Sequence, residues 1–290
     1  PRPKNRLLLY YWYTFKLPSF LKKYNVSAFI SDAGMLSLQT SVPQYLYITG
    51  SISDKGVNAY FKKNFRACLA MAQHIFTTEQ FTADELIEKY NTPSDRILNV
   101  YHSIPPLILA ETNAGSHEIK ERFTGGCDYF LYPMSADSAP YLINLLKAFS
   151  QLKKWQKSSM KMVLFLQKNI TEENLITDFK NYRYREEVIF ISDRENIIVQ
   201  LIPHSFALIW FCSYEHVSHV FTAFQSGVPV IALQIKINTS IFGDAVLYTA
   251  IPEKDAARKM PQMYKDENLR DETVKNGYKL LKKYDKNAST

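Results

Sequence analysis

Glu215 lies in a short stretch with Ser213, Tyr214, His216, Ser218 and His219, residue types that between them can hold an anion, accept a proton or steady a developing positive charge. A carboxylate facing a cleft can stabilise a positively polarised carbon, and hydroxyls beside a helix N-terminus can hold an anion. A carboxylate at a turn can equally be solvated or sit at the start of a helix. His216 and His219 are three apart and could share a helical face as metal ligands, yet no third ligand stands near them, so no metal is expected. Cys212 has no neighbouring base and reads as a buried strand-end thiol.

The elements around these residues are well marked. Phe206 to Phe211 is a continuous apolar run of strand length, as a parallel strand covered on both faces requires. Val217, Val220, Phe221 and Phe224 follow at helical spacing, Gly227 stands where a left-handed residue ends a helix, and Pro229 lies just beyond. Val230 to Leu233 is the next buried strand. In such a unit the helix begins at the carboxyl edge of the sheet, which places Glu215, Ser218 and Thr222 where ligands of open α/β folds bind.

The same alternation runs through the chain. Ser27 to Ser31, Gln44 to Ile48, the run HIFTT and the run RILNVYH read as strands. Helices are expected from near Pro18, over Asn58 to Gln73, and from a capping box at Thr82 to Glu85 up to about Tyr90. Residues 1 to 12, basic and then aromatic, suit a segment lying in a groove or against a partner. Residues 105–126, rich in proline, glycine and polar side chains, read as a linker between a first domain over 1–104 and a second over 127–290. The second domain alternates again through DYFLY, KMVLFL, EVIFI, the Phe206 strand and Ala245 to Thr249, and ends in two surface helices.

Composition narrows the functional classes. The chain has 290 residues, 46% of them hydrophobic, enough for two domains with cores of their own. Its net charge of +7 comes from lysines scattered over presumed helix surfaces rather than from one basic run, which argues against nucleic acid and leaves an anionic lipid or phosphate-bearing partner open. Three cysteines far apart suggest free thiols in a reducing compartment, the cytoplasm. No apolar run is long enough to span a bilayer, so contact with the inner membrane face would be peripheral.

The frame S-Y-E, a short helix, then S-G-V-P-V resembles the signature of the family-4 (group 1) retaining glycosyltransferases, S-x-x-E-G-F-G-x-P-x-x-E-A-x-x-x-G-x-P-V. The resemblance puts Glu215 at the family's first glutamate and Thr222 at its second, with one residue fewer between them and His216, Val217 and Ser218 in place of Gly-Phe-Gly. The Arg and Lys that neutralise the donor diphosphate fall on Ala139 and Pro140, leaving Ser135 and Ser138 as neutral donors. The proline-glutamate pair falls on Thr239 and Ser240, while Gly243, Asp244, Ala245 and Leu247 are kept; the acceptor-side His-Asp falls on Thr49 and Gly50. Asp32 and Asp137, at presumed strand ends, could touch a sugar hydroxyl.

The resemblance implies the GT-B architecture: two Rossmann-like α/β domains with parallel sheets facing a cleft. Nothing corresponds to the family's glycine-rich first strand, so the first domain lacks its early strands or the chain begins partway through it. The implied catalytic residue is Glu215, and Ser135, Ser218, Thr222 and Ser240 are the implied donor-binding positions. Two readings stand: a degenerate relative in glycan or lipid-linked saccharide assembly, with weak or no nucleotide-sugar binding, and an active retaining transferase moving a sugar from a nucleotide-sugar donor to a glycan. Neither requires a cofactor beyond that donor, and the expected partners are a glycan, a nucleotide sugar or another protein.

Overall fold

The computed structural model describes residues 6–49, 59–100, 116–135, 138–166, 179, 181–192, 197–212, 217–250 and 255–288. The chain divides into two compact units, Pro1–His102 and Ser103–Thr290.

The first unit opens with one helical run: α1 (Arg6–Tyr11), a π-helical turn (Trp12–Lys16) and α2 (Leu17–Lys23). A helix starting near Pro18 is the sequence expectation; the observed one begins a dozen residues earlier, and the π turn explains how. Leu9, Tyr13, Leu17 and Leu21 recur every four residues, a spacing that drifts by about 40° per step around an α-helix. The wider turn, in which the Leu17 N–H reaches the Trp12 carbonyl, takes up part of that drift. Leu17 and Leu21 are thereby buried and Tyr13 packs on the core of the unit. Pro18, just past the π turn, removes one N–H from the run at that point.

Four parallel strands follow, β1 (Phe29–Ser31), β2 (Gln44–Ile48), β3 (Ile75–Thr77) and β4 (Ile97–Asn99), in the spatial order β1-β2-β3-β4. Two of the connections carry helices, α3 (Ala59–Met71) and α4 (Gln80–Tyr90). In β2 burial alternates, with Gln44, Leu46 and Ile48 inward. The buried Gln44 amide exchanges hydrogen bonds with the Ser37 backbone, at 3.0 and 2.7 Å. The capping box expected at Thr82 is displaced: α4 starts three residues earlier, with Glu79 at its N-cap position and Thr82 already inside the first turn. Glu85, expected to complete that box, instead pairs with Lys89 at 2.6 Å.

The second unit is a six-stranded parallel sheet, β5 (Tyr129–Met134), β6 (Lys161–Leu166), β7 (Val188–Ser192), β8 (Ala207–Trp210), β9 (Val230–Leu233) and β10 (Leu247–Thr249), ordered β10-β9-β8-β5-β6-β7. The parallel sheet expected from the apolar runs is therefore present. Every residue of β5, β8 and β9 is buried, as strands covered on both faces must be. The helices are α5 (Ser116–Thr124), α6 (Leu142–Gln156), α7 (Ile197–Leu201), α8 (Ser218–Gln225), α9 (Lys236–Phe242), α10 (Ala256–Lys265) and α11 (Glu267–Ala288).

Two sequence expectations need correction. The stretch read as linker ends in α5, whose Ile119 is buried; Gly125 and Gly126, both at positive φ, terminate that helix rather than loosen a tether. Nor was α9 anticipated, because its seven residues are short for a periodic signal. Gly227 does end α8 as expected: at φ +69° it lets its own N–H reach Phe224 O and the Val228 N–H reach Ala223 O, the paired bonds of a Schellman turn. A Cβ at Gly227 would meet the Tyr278 hydroxyl at 2.8 Å, so α11 also packs against this turn. The helix expected over EENLITDF lies outside the described residues, apart from Phe179.

Candidate functional site

The strand order of the second sheet reverses between β5 and β8: from β5 the chain proceeds to β6 and β7 on one side, and from β8 to β9 and β10 on the other. The carboxyl ends of two such strands diverge and leave the crevice in which open α/β sheets bind ligands. Ser135 leaves β5 there and Cys212 lies two residues past the end of β8. Both are buried, and Ser135 Oγ stands 3.5 Å from Cys212 Sγ. Two positions far apart in sequence are thus brought together at the switch point.

The described polar groups at this edge bond largely to one another. The Ser135 N–H donates to Ser138 Oγ at 2.8 Å, the Ser138 hydroxyl lies 3.3 Å from the Ser135 carbonyl, and the Tyr132 hydroxyl donates to the Ser138 carbonyl at 2.7 Å. Burial first of all pushes the Tyr132 phenol far above its ordinary value, so it acts as a neutral donor. Ser138 is one of the two neutral donors expected after β5. It sits at the N-cap of a 3-10 turn (Ala139–Tyr141) that leads into α6, but its hydroxyl is engaged with Ser135 instead. Ala139 and Pro140 form the start of that turn, and Pro140 projects outward.

Of the other expected positions, Ser218 begins α8 half-buried and Thr222 lies one turn on; the Thr222 hydroxyl donates to the Ser218 carbonyl at 3.0 Å. In α9 the Ser240 hydroxyl donates to Ile237 O at 2.9 Å, and Thr239 Oγ1 lies within reach of Ile235 O and Lys236 O. Glu215 lies outside the described residues, as do Ser213, Tyr214, His216, Asp137 and Gly50. His219 is described and packs against Trp210, ring edge to face, with centroids 6.2 Å apart. Among the described residues no group of three His, Cys, Asp or Glu side chains could hold a metal ion.

Sequence reasoning missed Asn238. It is 0% exposed, and its Nδ2 donates to Cys212 O at 3.3 Å and to Leu233 O at 2.9 Å, tying the ends of β8 and β9 together. Its Oδ1 is buried without a donor. The signal was there to read: Asn238 falls in helical phase with the buried Ile241 and Phe242, and a polar residue on an apolar face needs a partner.

The first unit keeps a charge-capable group at its own carboxyl edge. Glu79, 3% exposed and two residues past β3, accepts from the Thr78 hydroxyl at 2.5 Å and from the Thr82 hydroxyl at 3.3 Å. Burial, and after it the Glu79 charge, raises the pKa of Tyr47 on β2. Glu79 was passed over because it followed a strand without a motif around it.

Comparison with known proteins gives this geometry a family. A sequence model of the glycosyl transferases group 1 matches residues 118–280, more than half of the chain. No curated protein matches. Among solved structures, WaaG, a glycosyltransferase involved in lipopolysaccharide biosynthesis, is similar over 90% of this chain and 75% of its own, with a TM-score of 0.65 at 15% identity. A glycosyltransferase from Rickettsia africae ESF-5 is similar over 98% of this chain and 79% of its own, with a TM-score of 0.72 at 13% identity. Alr3699/HepE of Anabaena, in complex with UDP and glucose, is similar over 81% of this chain and 65% of its own, with a TM-score of 0.63 at 12% identity. At such identities the structures speak for the fold, two parallel α/β sheets of the GT-B type, while the sequence match speaks for the family. The chain belongs to the group 1 glycosyl transferases.

Proposed function

We propose that this chain is a degenerate group 1 glycosyltransferase of glycan or lipid-linked saccharide assembly, which binds a nucleotide-sugar donor weakly or not at all and works by binding a glycan or a protein partner. The observation that carries this reading is where the donor-side hydroxyls go. Those of Thr222 and Ser240 bond to carbonyls of their own helices, and the Ser138 oxygen is held by the Ser135 N–H. A hydroxyl bonded in this way has to break a contact before it can serve a ligand, and the net contribution of a neutral hydrogen bond is only about 1 kcal/mol. Ala139 and Pro140 cannot carry the charge that a diphosphate demands.

A second reading, the active retaining transferase with Glu215 as the carboxylate beside the sugar carbon, is favoured by one observation. The buried Asn238 Oδ1 is an acceptor without a donor at the switch point, where a ligand hydroxyl or N–H would satisfy it. Incubating the protein with a panel of nucleotide sugars and measuring released nucleotide separates the two. Degeneracy predicts no release above the protein-free rate, and release that is lost in Glu215→Gln would establish the active enzyme.

A further inference from the structure

We propose that the outward face of the N-terminal helical run is a membrane-docking surface that seats this protein on anionic lipid headgroups. Six of the chain's 35 basic residues and none of its 28 acidic ones fall within residues 1–31, so this stretch carries +6 of the net +7. Of these six, Lys16, Lys22 and Lys23 lie exposed on the described turns of the helical run. The basic residues there are interleaved with large apolar side chains that the fold leaves exposed: Leu7 (79%), Tyr11, Trp12, Phe15 (53%), Phe20 and Tyr24. Across the π turn Leu17 and Leu21 are buried and Tyr13 packs on the unit's core, which leaves this other set outward.

The combination selects the occupant. A solvated surface of that charge has no use for exposed Trp and Phe, and a protein interface core is depleted of lysine. A bilayer interface favours both, aromatic rings and leucine at the headgroup boundary with lysines reaching the phosphates. The lysines are already placed alongside rings: Lys16 Nζ lies 5.9 Å from the Tyr11 ring centre and Lys23 Nζ 5.4 Å from that of Tyr24, with all of these side chains exposed. The helix does not span. Among the described residues no helix is long and apolar enough to cross a membrane, so this one would lie in the plane of the interface. The inference is independent of whether the donor site is active.

Co-sedimentation of the whole protein with vesicles tests it. Binding to phosphatidylcholine vesicles containing phosphatidylglycerol is expected to exceed binding to pure phosphatidylcholine vesicles by at least about tenfold. A triple Lys16→Gln, Lys22→Gln, Lys23→Gln variant is expected to lose about a hundredfold on the anionic vesicles, near-surface lysines each contributing about fivefold. Trp12→Ser with Phe15→Ser is expected to lower binding and to abolish the component that survives high salt. These are exposed side chains, and an unchanged circular dichroism melt confirms that each variant is folded. Equal binding to both vesicle types would overturn the proposal. So would lysine-dependent binding to heparin that ignores Trp12 and Phe15, or a dimer in solution that dissociates in the Trp12 and Phe15 variant without any vesicle binding.

Discussion

The described residues at the carboxyl edges of the two sheets share a construction and differ in chemistry. Among the described residues at the edge of the six-stranded sheet, Ser135, Ser138 and Asn238 carry no charge, and the serines are bonded to each other. At the edge of the four-stranded sheet a carboxylate, Glu79, is retained at 3% exposure between two threonine hydroxyls. The frame around an α/β site depends on apolar periodicity and on a few glycines and prolines, whereas the site's charge depends on single residues that packing does not require. One can therefore be lost without the other. Keeping a buried carboxylate costs desolvation that its hydrogen bonds must offset, while a neutral serine pair costs little.

The comparison can be broken most violently at the frame. Phe149, fully buried on α6 under the six-stranded sheet, should cost about 3–5 kcal/mol as alanine, read from denaturant unfolding, against less than about 0.5 kcal/mol for Phe20→Ala on the exposed face. A small effect at Phe149 would mean that the second unit is not packed as described. At the edges themselves, Glu79→Ala should cost about 1–3 kcal/mol, because two buried hydroxyls lose their acceptor, and Ser135→Ala, whose hydroxyl meets only weak partners, less than about 1 kcal/mol. Equal costs would erase the distinction between the two edges.

Two titrations sharpen it further. Replacing Glu79 with Gln removes the charge that adds to the burial effect on Tyr47, so the Tyr47 pKa should move part of the way down, as followed by NMR of ring-labelled tyrosine. On the second unit, burial alone would raise the Glu187 pKa, but the hydrogen bond and charge of Lys161 at 2.8 Å, together with Lys153, bring it below the ordinary glutamate value. A group with a depressed folded pKa stabilises above its unfolded pKa, and that contribution disappears as pH falls through the folded one. Glu187→Gln should therefore flatten the acid side of the stability profile slightly and leave neutral pH differences nearly constant.

Much of this fold was legible because parallel strands buried on both faces announce themselves: YFLY, MVLFL and ALIW need no context to be read as core. The helix at Arg6 was not, since Pro18 argued for a start at that point and no sequence pattern announces a π turn. Nor was the network at the switch point. Ser135 and Cys212 are 77 residues apart, and only the strand order brings them to 3.5 Å. Asn238 was readable in principle from its phase with Ile241, but its role depends on two carbonyls whose position no sequence pattern reveals. What the family resemblance conveyed about the donor positions was subtraction: it sets Ala139, Pro140, Thr222 and Ser240 at positions where the family carries charge, and the structure adds where the Thr222 and Ser240 hydroxyls point.

Calorimetric titration with UDP, GDP and ADP at low salt tests the central claim most directly. A charge-assisted hydrogen bond contributes about 1.5–3 kcal/mol, so losing the Arg, the Lys and the glutamate that the resemblance sets at Ala139, Pro140 and Thr222 removes about 4–9 kcal/mol if additive, and the lower figure, roughly a thousandfold, applies among neighbouring groups. The account predicts dissociation constants of about a millimolar or weaker for all three nucleotides, with Ala139→Arg plus Pro140→Lys recovering about tenfold or more. A low-micromolar dissociation constant for any of them in the unaltered protein would contradict it and restore the active transferase.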